Sequence, residues 1–255
     1  LKGKFGKFYN HISAAWIWKR IKDRAENKKK ISSKDQYYYY KGGFGDSAID
    51  ILKYLKNFKS FNYRSNLNIL SIHNIKEKNN LFKIKISNNN EIFFSKKIIF
   101  TTPNKEILQI GKKILTKSEQ KKLSSIEYFA NICLILFLKK SLSSEYWMNI
   151  NDASFPFVGV IEHTNLVSSK KFKNNHVVYL SKYLDKKSNL YKLSKKNYFI
   201  YSFKHLKKIF PFLKKNDVNN FFLNKSEFAQ PLAFKNYLKK KIPYTLSNKN
   251  VHIIN

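Results

Sequence analysis

Apolar and polar positions change period several times along the chain, and each change marks an expected element. From His11 to Ala25, Ile12, Ala15, Trp16, Trp18 and Ile21 recur at helical spacing until Lys28–Lys30 end the pattern. Two indole rings need large pockets, so this helix is expected to dock, most simply into a core. A second helix is read from Asp46 or Ser47, its candidate caps, to about Asn57, with Ala48, Ile51, Leu52 and Leu55 on one side. After Leu67 the period shortens. Leu67–Ile72, Leu81–Ile86 and Glu91–Phe94 read as a meander of three short strands joined by turns at Lys76–Asn80 and Ser87–Asn90. Longer strands are expected at Ala130–Leu138, Phe155–Glu162, Val177–Leu180, Phe221–Ala229 and Val251–Ile254, with a helix near Leu193–Phe210. A meander followed by long strands beside one helix predicts a mixed α/β and α+β organisation.

The stretch Ile98–Leu108 organises the first half. Ile98–Ile99–Phe100 has no alternation, which reads as a strand buried on both faces. Pro103 forces a turn after Thr101–Thr102, and Asn104 is placed to cap a helix over Lys105–Lys112. In open α/β sheets ligands sit beyond the carboxyl ends of strands, so two threonine hydroxyls there form a candidate cofactor edge. The same residues also fit a turn that binds nothing. Further on, Thr116-Lys117-Ser118-Glu119 has the spacing of a capping box. Gly42-Gly43-Phe44-Gly45 precedes a helix and permits close backbone approach, although it is neither a dinucleotide fingerprint nor a Walker loop. The run Tyr37–Tyr40 offers rings for stacking, and one buried extended segment explains it equally well.

Composition alters this picture in one direction and then back. The 255 residues carry a formal charge of +34, which points first to nucleic acid or an anionic membrane surface. Yet the only arginines are Arg20, Arg24 and Arg64, and the lysines are spread over the whole length. Readers of phosphate and base edges favour the forked guanidinium. Abundant Lys, Asn, Ile, Phe and Tyr with only 7 glycines and 5 prolines fits codon drift in an A+T-rich genome. No nucleic-acid partner is therefore expected, and a peripheral membrane contact stays open. Cys133 is the only cysteine, so there is no intrachain disulfide and no cysteine-based metal site. Its apolar neighbours make it a small core residue, and no metal is expected. The absence of a signal peptide and of an apolar run long enough to span a bilayer suggests a cytoplasmic location. A chain that starts at Leu1 and stops as a strand ends reads as a fragment.

Several motifs, taken in order, resemble one family. They are Ile12–Ile21, Tyr39–Phe44, the meander, Thr101-Thr102-Pro103, Tyr146–Ile150, Phe155-Pro156-Phe157, Glu162-His163-Thr164-Asn165 and Ala229-Gln230-Pro231. Together they resemble FAD-dependent oxidoreductases of the flavin-containing amine oxidase and protoporphyrinogen-oxidase-like superfamily. The resemblance covers nearly the whole chain. It implies part of a Rossmann-like FAD-binding domain with a β-meander, interleaved with a substrate domain on a largely antiparallel sheet with helices. By resemblance, residues 1–35 are substrate-domain helices and 36–110 belong to the FAD domain. Residues 111–240 form the substrate domain, and 241–255 return to the FAD domain. The family's N-terminal glycine loop and its C-terminal glycine-bearing helix have no match, so the chain resembles the middle of such an enzyme.

The resemblance also implies roles for individual residues. Ile72 matches a position whose backbone contacts adenine, and Thr101, Thr102 and Pro103 match the turn beside the adenosine half of FAD. Gly42 and Gly43 match glycines close to the cofactor. Glu162, His163 and Asn165 are candidate catalytic residues at a strand end facing the flavin, while Trp147 and Gln230 are candidate walls of the substrate cavity. His163 also fits a structural role, and Trp147 a place in the core. The implied activity is hydride transfer from a small organic substrate to FAD, with His163 as a proton acceptor. A flavin-dependent sugar-nucleotide mutase and a non-enzymatic basic protein for nucleic acid or membrane surfaces are the alternatives. The scarcity of arginine argues against a substrate pyrophosphate.

Overall fold

The computed structural model describes residues 2–30, 38–75, 81–87 and 91–254. In chain order the elements begin with α1 (Lys2–Phe5), a 3₁₀ segment over Gly6–His11, α2 (Ala14–Lys30) and α3 (Phe44–Leu55). Strands β1 (Ile69–Asn74), β2 (Phe82–Ile86), β3 (Ile92–Ser95) and β4 (Ile98–Phe100) precede α4 (Asn104–Gly111) and α5 (Lys117–Ser124). Next come β5 (Tyr128–Leu138), β6 (Trp147–Asn149), β7 (Gly159–Glu162), a 3₁₀ turn over His163–Asn165, another over Ser169–Phe172, and β8 (His176–Leu184). The chain continues through α6 (Asn189–Lys192), α7 (Lys195–Ile209), β9 (Val218–Pro231), α8 (Tyr237–Lys240) and β10 (Val251–Ile253). Two compact units result, Leu1–Ile12 with Ile126–Tyr237, and Ser13–Ser125 with Leu238–Asn255. The organisation is a mixed α/β fold with antiparallel sheets.

The first unit is built on a five-stranded antiparallel sheet in the order β6-β7-β8-β5-β9. β5 lies inside it, and its even-numbered residues Ala130 to Leu138 are buried while the odd ones between them are half-buried. That alternation follows from the two-residue repeat of a pleated strand with unequal cover on its two faces. The even face meets α7, whose Tyr198, Phe199, Ser202, His205 and Leu206 fall on one side at helical spacing. Ser194 caps that helix by accepting from the Asn197 amide, and Phe199 stacks on Phe221 of β9 at 4.1 Å. Each fully buried leucine here contributes about 1.5–3 kcal/mol through removal from water.

The second unit holds the meander β1-β2-β3 and a two-stranded parallel sheet in which β10 pairs with β4. Ile72, Phe82, Ile98, Phe100 and Ile107 share one core, with α4 packed on β1. The capping box at Thr116 forms as its spacing predicts: Thr116 Oγ1 accepts from the Glu119 amide and Glu119 Oε2 accepts from the Thr116 amide. Glu119 Oε1 also accepts from the Ser247 amide at 2.8 Å, so one buried carboxylate ties α5 to the approach to β10.

Several expectations change. Ile99 is 60% exposed, so β4 is buried on one face: Ile98 and Phe100 enter the core and the residue between them points away. Pro103, not Asn104, occupies the cap position of α4. Asn104 is the first helical residue, with its buried amide donating to the Leu123 carbonyl. Gly43 takes the cap position of α3, because its φ of 108° suits glycine, and Asp46 and Ser47 fall in the first turn. The first long helix begins at Ala14, after a 3₁₀ segment, and its Trp18 is 66% exposed. Tyr38 is exposed and no strand forms at Tyr38–Tyr40, contrary to a buried extended segment; Tyr37 lies outside the described residues. The expected turn at Lys76–Asn80, and that at Ser87–Asn90 apart from Ser87, lie outside them as well. Among the described residues no helix is long and apolar enough to cross a membrane, and no group of side chains is suited to a metal ion.

Candidate functional site

Because α7 covers the even face of the large sheet, the odd face is the one left for chemistry. Register builds it row by row. Trp147, Ile161, Tyr179, Ile135 and Phe222 stand side by side across all five strands. The next row is Asn149, Gly159, Ser181, Cys133 and Asn224. Shorter rows flank these two, Val177–Phe137–Asn220 on one side and Tyr183–Asn131–Ser226 on the other. Most of these side chains are half-buried or exposed, with Trp147 at 53%. Neutral polar groups bond to one another within the face: Asn131 Nδ2 donates to Ser181 Oγ at 2.9 Å, and Trp147 Nε1 donates to Asn149 Oδ1 at 2.9 Å. Burial pushes the Cys133 thiol up to about 11, so it stays protonated, and the expected small core residue lies half-buried on this face.

His163 reaches the rim of this face. It is buried at the start of the 3₁₀ turn after β7, and its ring meets Tyr179 edge-on at 5.6 Å and Phe172 at 5.6 Å. Burial holds its pKa below the ordinary histidine value, so the imidazole is neutral at neutral pH.

The two neighbours named with it from sequence turn elsewhere. Glu162 is fully buried and belongs to the even face; its Oε2 accepts from the amides of Leu142 and Ser143 at 3.0 and 3.1 Å. Its Oε1 lies 3.4 Å from His176 Nδ1. Asn165 donates its Nδ2 to the carbonyls of Ser143 and Glu145. Both side chains therefore fasten the segment 142–145, which leads directly into β6 and Trp147. Sequence reading did not find this fastening, because the partners lie 19 to 22 residues away. Nor did it name Tyr179, Ser181, Asn131 or Ile161, which only strand register brings beside Trp147.

Trp147 and Gln230 share the odd face but occupy its opposite corners. Gln230 pairs with Phe129, on the far edge strand and at the far end. Four strand spacings and six residues of rise separate the two by roughly 25–30 Å. Near Phe129 a cleft of about 520 Å³ is lined by Phe5, Phe8, Phe129 and Tyr183 together with Lys182, Asp185 and Lys187.

In the second unit, Thr101–Pro103 follow β4 at the carboxyl end of the parallel pair. Ile72 is buried on β1, an edge strand of the meander. Gly42 and Gly43 lie in the turn before α3, outside the core that holds Ile72 and Phe100. Asp46 fills the space that a side chain at Gly42 would need, and a Cβ on buried Gly43 would come to 3.0 Å from the Tyr39 hydroxyl. With a carboxylate in the first turn of α3, this helix start disfavours a phosphate.

No family model matches the chain, and no curated protein matches its sequence. Solved structures do match its architecture. A candidate protoporphyrinogen oxidase from Exiguobacterium aligns with a TM-score of 0.61 at 10% identity, over 76% of this chain and 41% of its own. An oxidoreductase from Methanosarcina mazei aligns at 0.61 and 14% identity, over 84% and 49%. Reduced UDP-galactopyranose mutase aligns at 0.65 and 14% identity, over 90% and 51%. The chain shares their fold. It spans about half the length of these enzymes or less, and at such identity the likeness concerns architecture alone.

Proposed function

We propose that the chain is part of a flavin-dependent oxidoreductase and carries its substrate-facing sheet together with a portion of its FAD-binding domain. The observation that carries this reading is the open, ring-lined face of the five-stranded sheet, with a neutral histidine at its rim, in a fold shared with two solved oxidases or oxidoreductases and a mutase. In the second unit the end of a parallel strand at Thr101–Pro103 fits the adenosine half of FAD, and the edge strand bearing Ile72 leaves backbone groups on its outer side. Gly42 and Gly43 fit a neutral part of the cofactor better than its pyrophosphate, given Asp46 beside them.

FAD, when bound, supplies the hydride acceptor. The protein's own groups bind, orient and hold protons. The row from Trp147 to Tyr179 supports the substrate. Glu162 and Asn165 position the segment that carries Trp147. The His163 imidazole, kept neutral by burial, accepts the proton released from a substrate amine or hydroxyl. A mutase reading is favoured by the UDP-galactopyranose mutase likeness, but no strand residue in the rows of this face is a cation, and Lys4 and Lys195 sit over the Tyr183 and Phe222 rings at its margins, an arrangement poorly suited to a substrate pyrophosphate.

The test is flavin retention and turnover in the protein as its gene encodes it. The purified protein should carry visible flavin absorbance, and His163→Asn should lower turnover without releasing flavin. A protein that takes up no flavin would sink the proposal, while unchanged turnover in His163→Asn would remove that residue from the mechanism.

A further inference from the structure

We propose that the open face of the five-stranded sheet seats an uncharged, flat and largely apolar molecule on the Trp147–Ile161–Tyr179 row, and discriminates against phosphorylated ones. That such a molecule is the substrate rests on the flavoenzyme reading; that it binds does not.

Charge sets this face apart. A quarter of this chain is charged (26%) and the balance is +34, yet none of the four rows of the face contains Lys, Arg, Asp or Glu. Burial does not explain this. The opposite face, on which α7 packs, carries buried Glu162 and half-buried Lys182 as well as exposed Lys225. The more open side is therefore the uncharged one, the reverse of what solvent exposure alone would produce.

What remains on the face is ring surface and paired neutral dipoles. Trp147 and Tyr179 flank Ile161 and offer stacking area for a planar ligand. The Asn131–Ser181 and Trp147–Asn149 pairs keep spare hydrogen-bonding capacity for carbonyl or hydroxyl groups at a ligand's edge. Cys133, in the middle of the face, stays a neutral thiol. Lys4 and Lys195 lie over the Tyr183 and Phe222 rings at the margins of the face, and a phosphate brought onto the Trp147–Ile161–Tyr179 stretch would lose water without meeting a counter-charge among its side chains. Elsewhere the lysine-coated surface attracts anions, so a preference for the neutral ligand runs against the chain's overall field.

The experiment is calorimetric titration of the full chain with 2-naphthol and with 2-naphthyl phosphate, at low and at moderate salt. Naphthol is expected to bind at least about tenfold more tightly than the phosphate, with little dependence on salt. Ile161→Lys should weaken naphthol at least tenfold and narrow or invert the preference. Trp147→Ala, at an exposed position, should weaken naphthol severalfold; it decides alone if circular dichroism shows that the lysine variant is unfolded. Tighter or equal binding of the phosphate overturns the proposal, as does an absence of naphthol binding. Naphthol binding that survives both variants and is lost in Phe8→Ala also overturns it, because the ligand then occupies the cleft beside Phe129. Flavin retention is measured separately. A chain that keeps flavin but prefers the phosphate defeats the substrate class alone, and one that prefers naphthol but takes up no flavin defeats the flavoenzyme reading alone.

Discussion

Removing the Glu162 carboxylate should loosen the segment that delivers Trp147 to the sheet. Its Oε2 accepts two backbone hydrogen bonds, from Leu142 and Ser143, and the side chain is fully buried. Hydrogen bonds to a charged acceptor contribute about 1.5–3 kcal/mol each, so the two together contribute about 3–6 kcal/mol. Part of that is offset by the desolvation of a buried carboxylate, with His176 at 3.4 Å as its nearest cationic candidate. Glu162→Ala leaves the amides of Leu142 and Ser143 without this acceptor, and a net loss of about 3–5 kcal/mol is expected. Glu162→Gln retains a carbonyl oxygen for both amides and should lose about 1–2 kcal/mol. The assay is urea unfolding followed in parallel by far-ultraviolet circular dichroism and tryptophan fluorescence, comparing midpoints at unchanged slope. A loss below about 1 kcal/mol in the alanine variant would refute the reasoning, because a buried double acceptor cannot be removed so cheaply. Equal losses in Ala and Gln would refute its electrostatic part.

Three further outcomes are expected. Glu119 feels burial, which raises its pKa, but hydrogen bonds from Ser247 and Thr116 outweigh it and hold the carboxyl below the usual range. Its contribution is therefore present above about pH 4.3, the unfolded value, and disappears as pH falls through the lower folded value; an acid titration in which Glu119→Gln shows the same slope as the parent would contradict this. Leu134→Ala, at a fully buried site in the α7-covered core, should lose about 3–5 kcal/mol in the same urea assay, and a loss under about 1.5 kcal/mol would mean the core collapses around the gap. Cys133, with its thiol pushed up to about 11, should react with iodoacetamide at pH 8 about a hundredfold more slowly than a free cysteine, and alkylation at the free rate would show that the face is more open than described.

Local signals in the sequence carried far. The Thr116–Glu119 spacing determines its own geometry within four residues, and the capping box formed. The strand, turn and helix around Pro103 followed from a ring that cannot donate to a ladder, although the cap position shifted by one residue. Long-range facts were out of reach. The run Ala130–Leu138 is apolar at nearly every position, so its pattern does not show which side meets α7; that depends on pairing with β8 and β9, about 45 and 90 residues on. Glu162 was legible as a polar residue at a strand end, but its partners at Leu142 and Ser143 were not. Ile99 read as core because its neighbours are core; its exposure depends on what stacks on a two-stranded sheet, which no local pattern encodes. The uncharged face is visible only once register has gathered residues from five strands.

The parallel pair β4/β10 has a consequence for how the protein behaves in suspension. Among the described residues the segment 244–246 pairs with the outer edge of β10, where the Ile253 amide donates to the Tyr244 carbonyl and the Leu246 amide to the Val251 carbonyl, so the bare outer edge is that of β4, beside the exposed Ile99 side chain. Such an edge is a template for another molecule's backbone. Exposed Lys96 and Lys97 precede β4, and exposed Lys249 lies just before β10, so two copies approaching edge to edge bring like charges together first. That repulsion reaches about 10 Å at 0.1 M salt and only about 3 Å at 1 M. The lysines thus act as a colloidal barrier set by ionic strength: dilute buffer keeps the molecules apart, and concentrated salt removes the guard while leaving the adhesive edge in place.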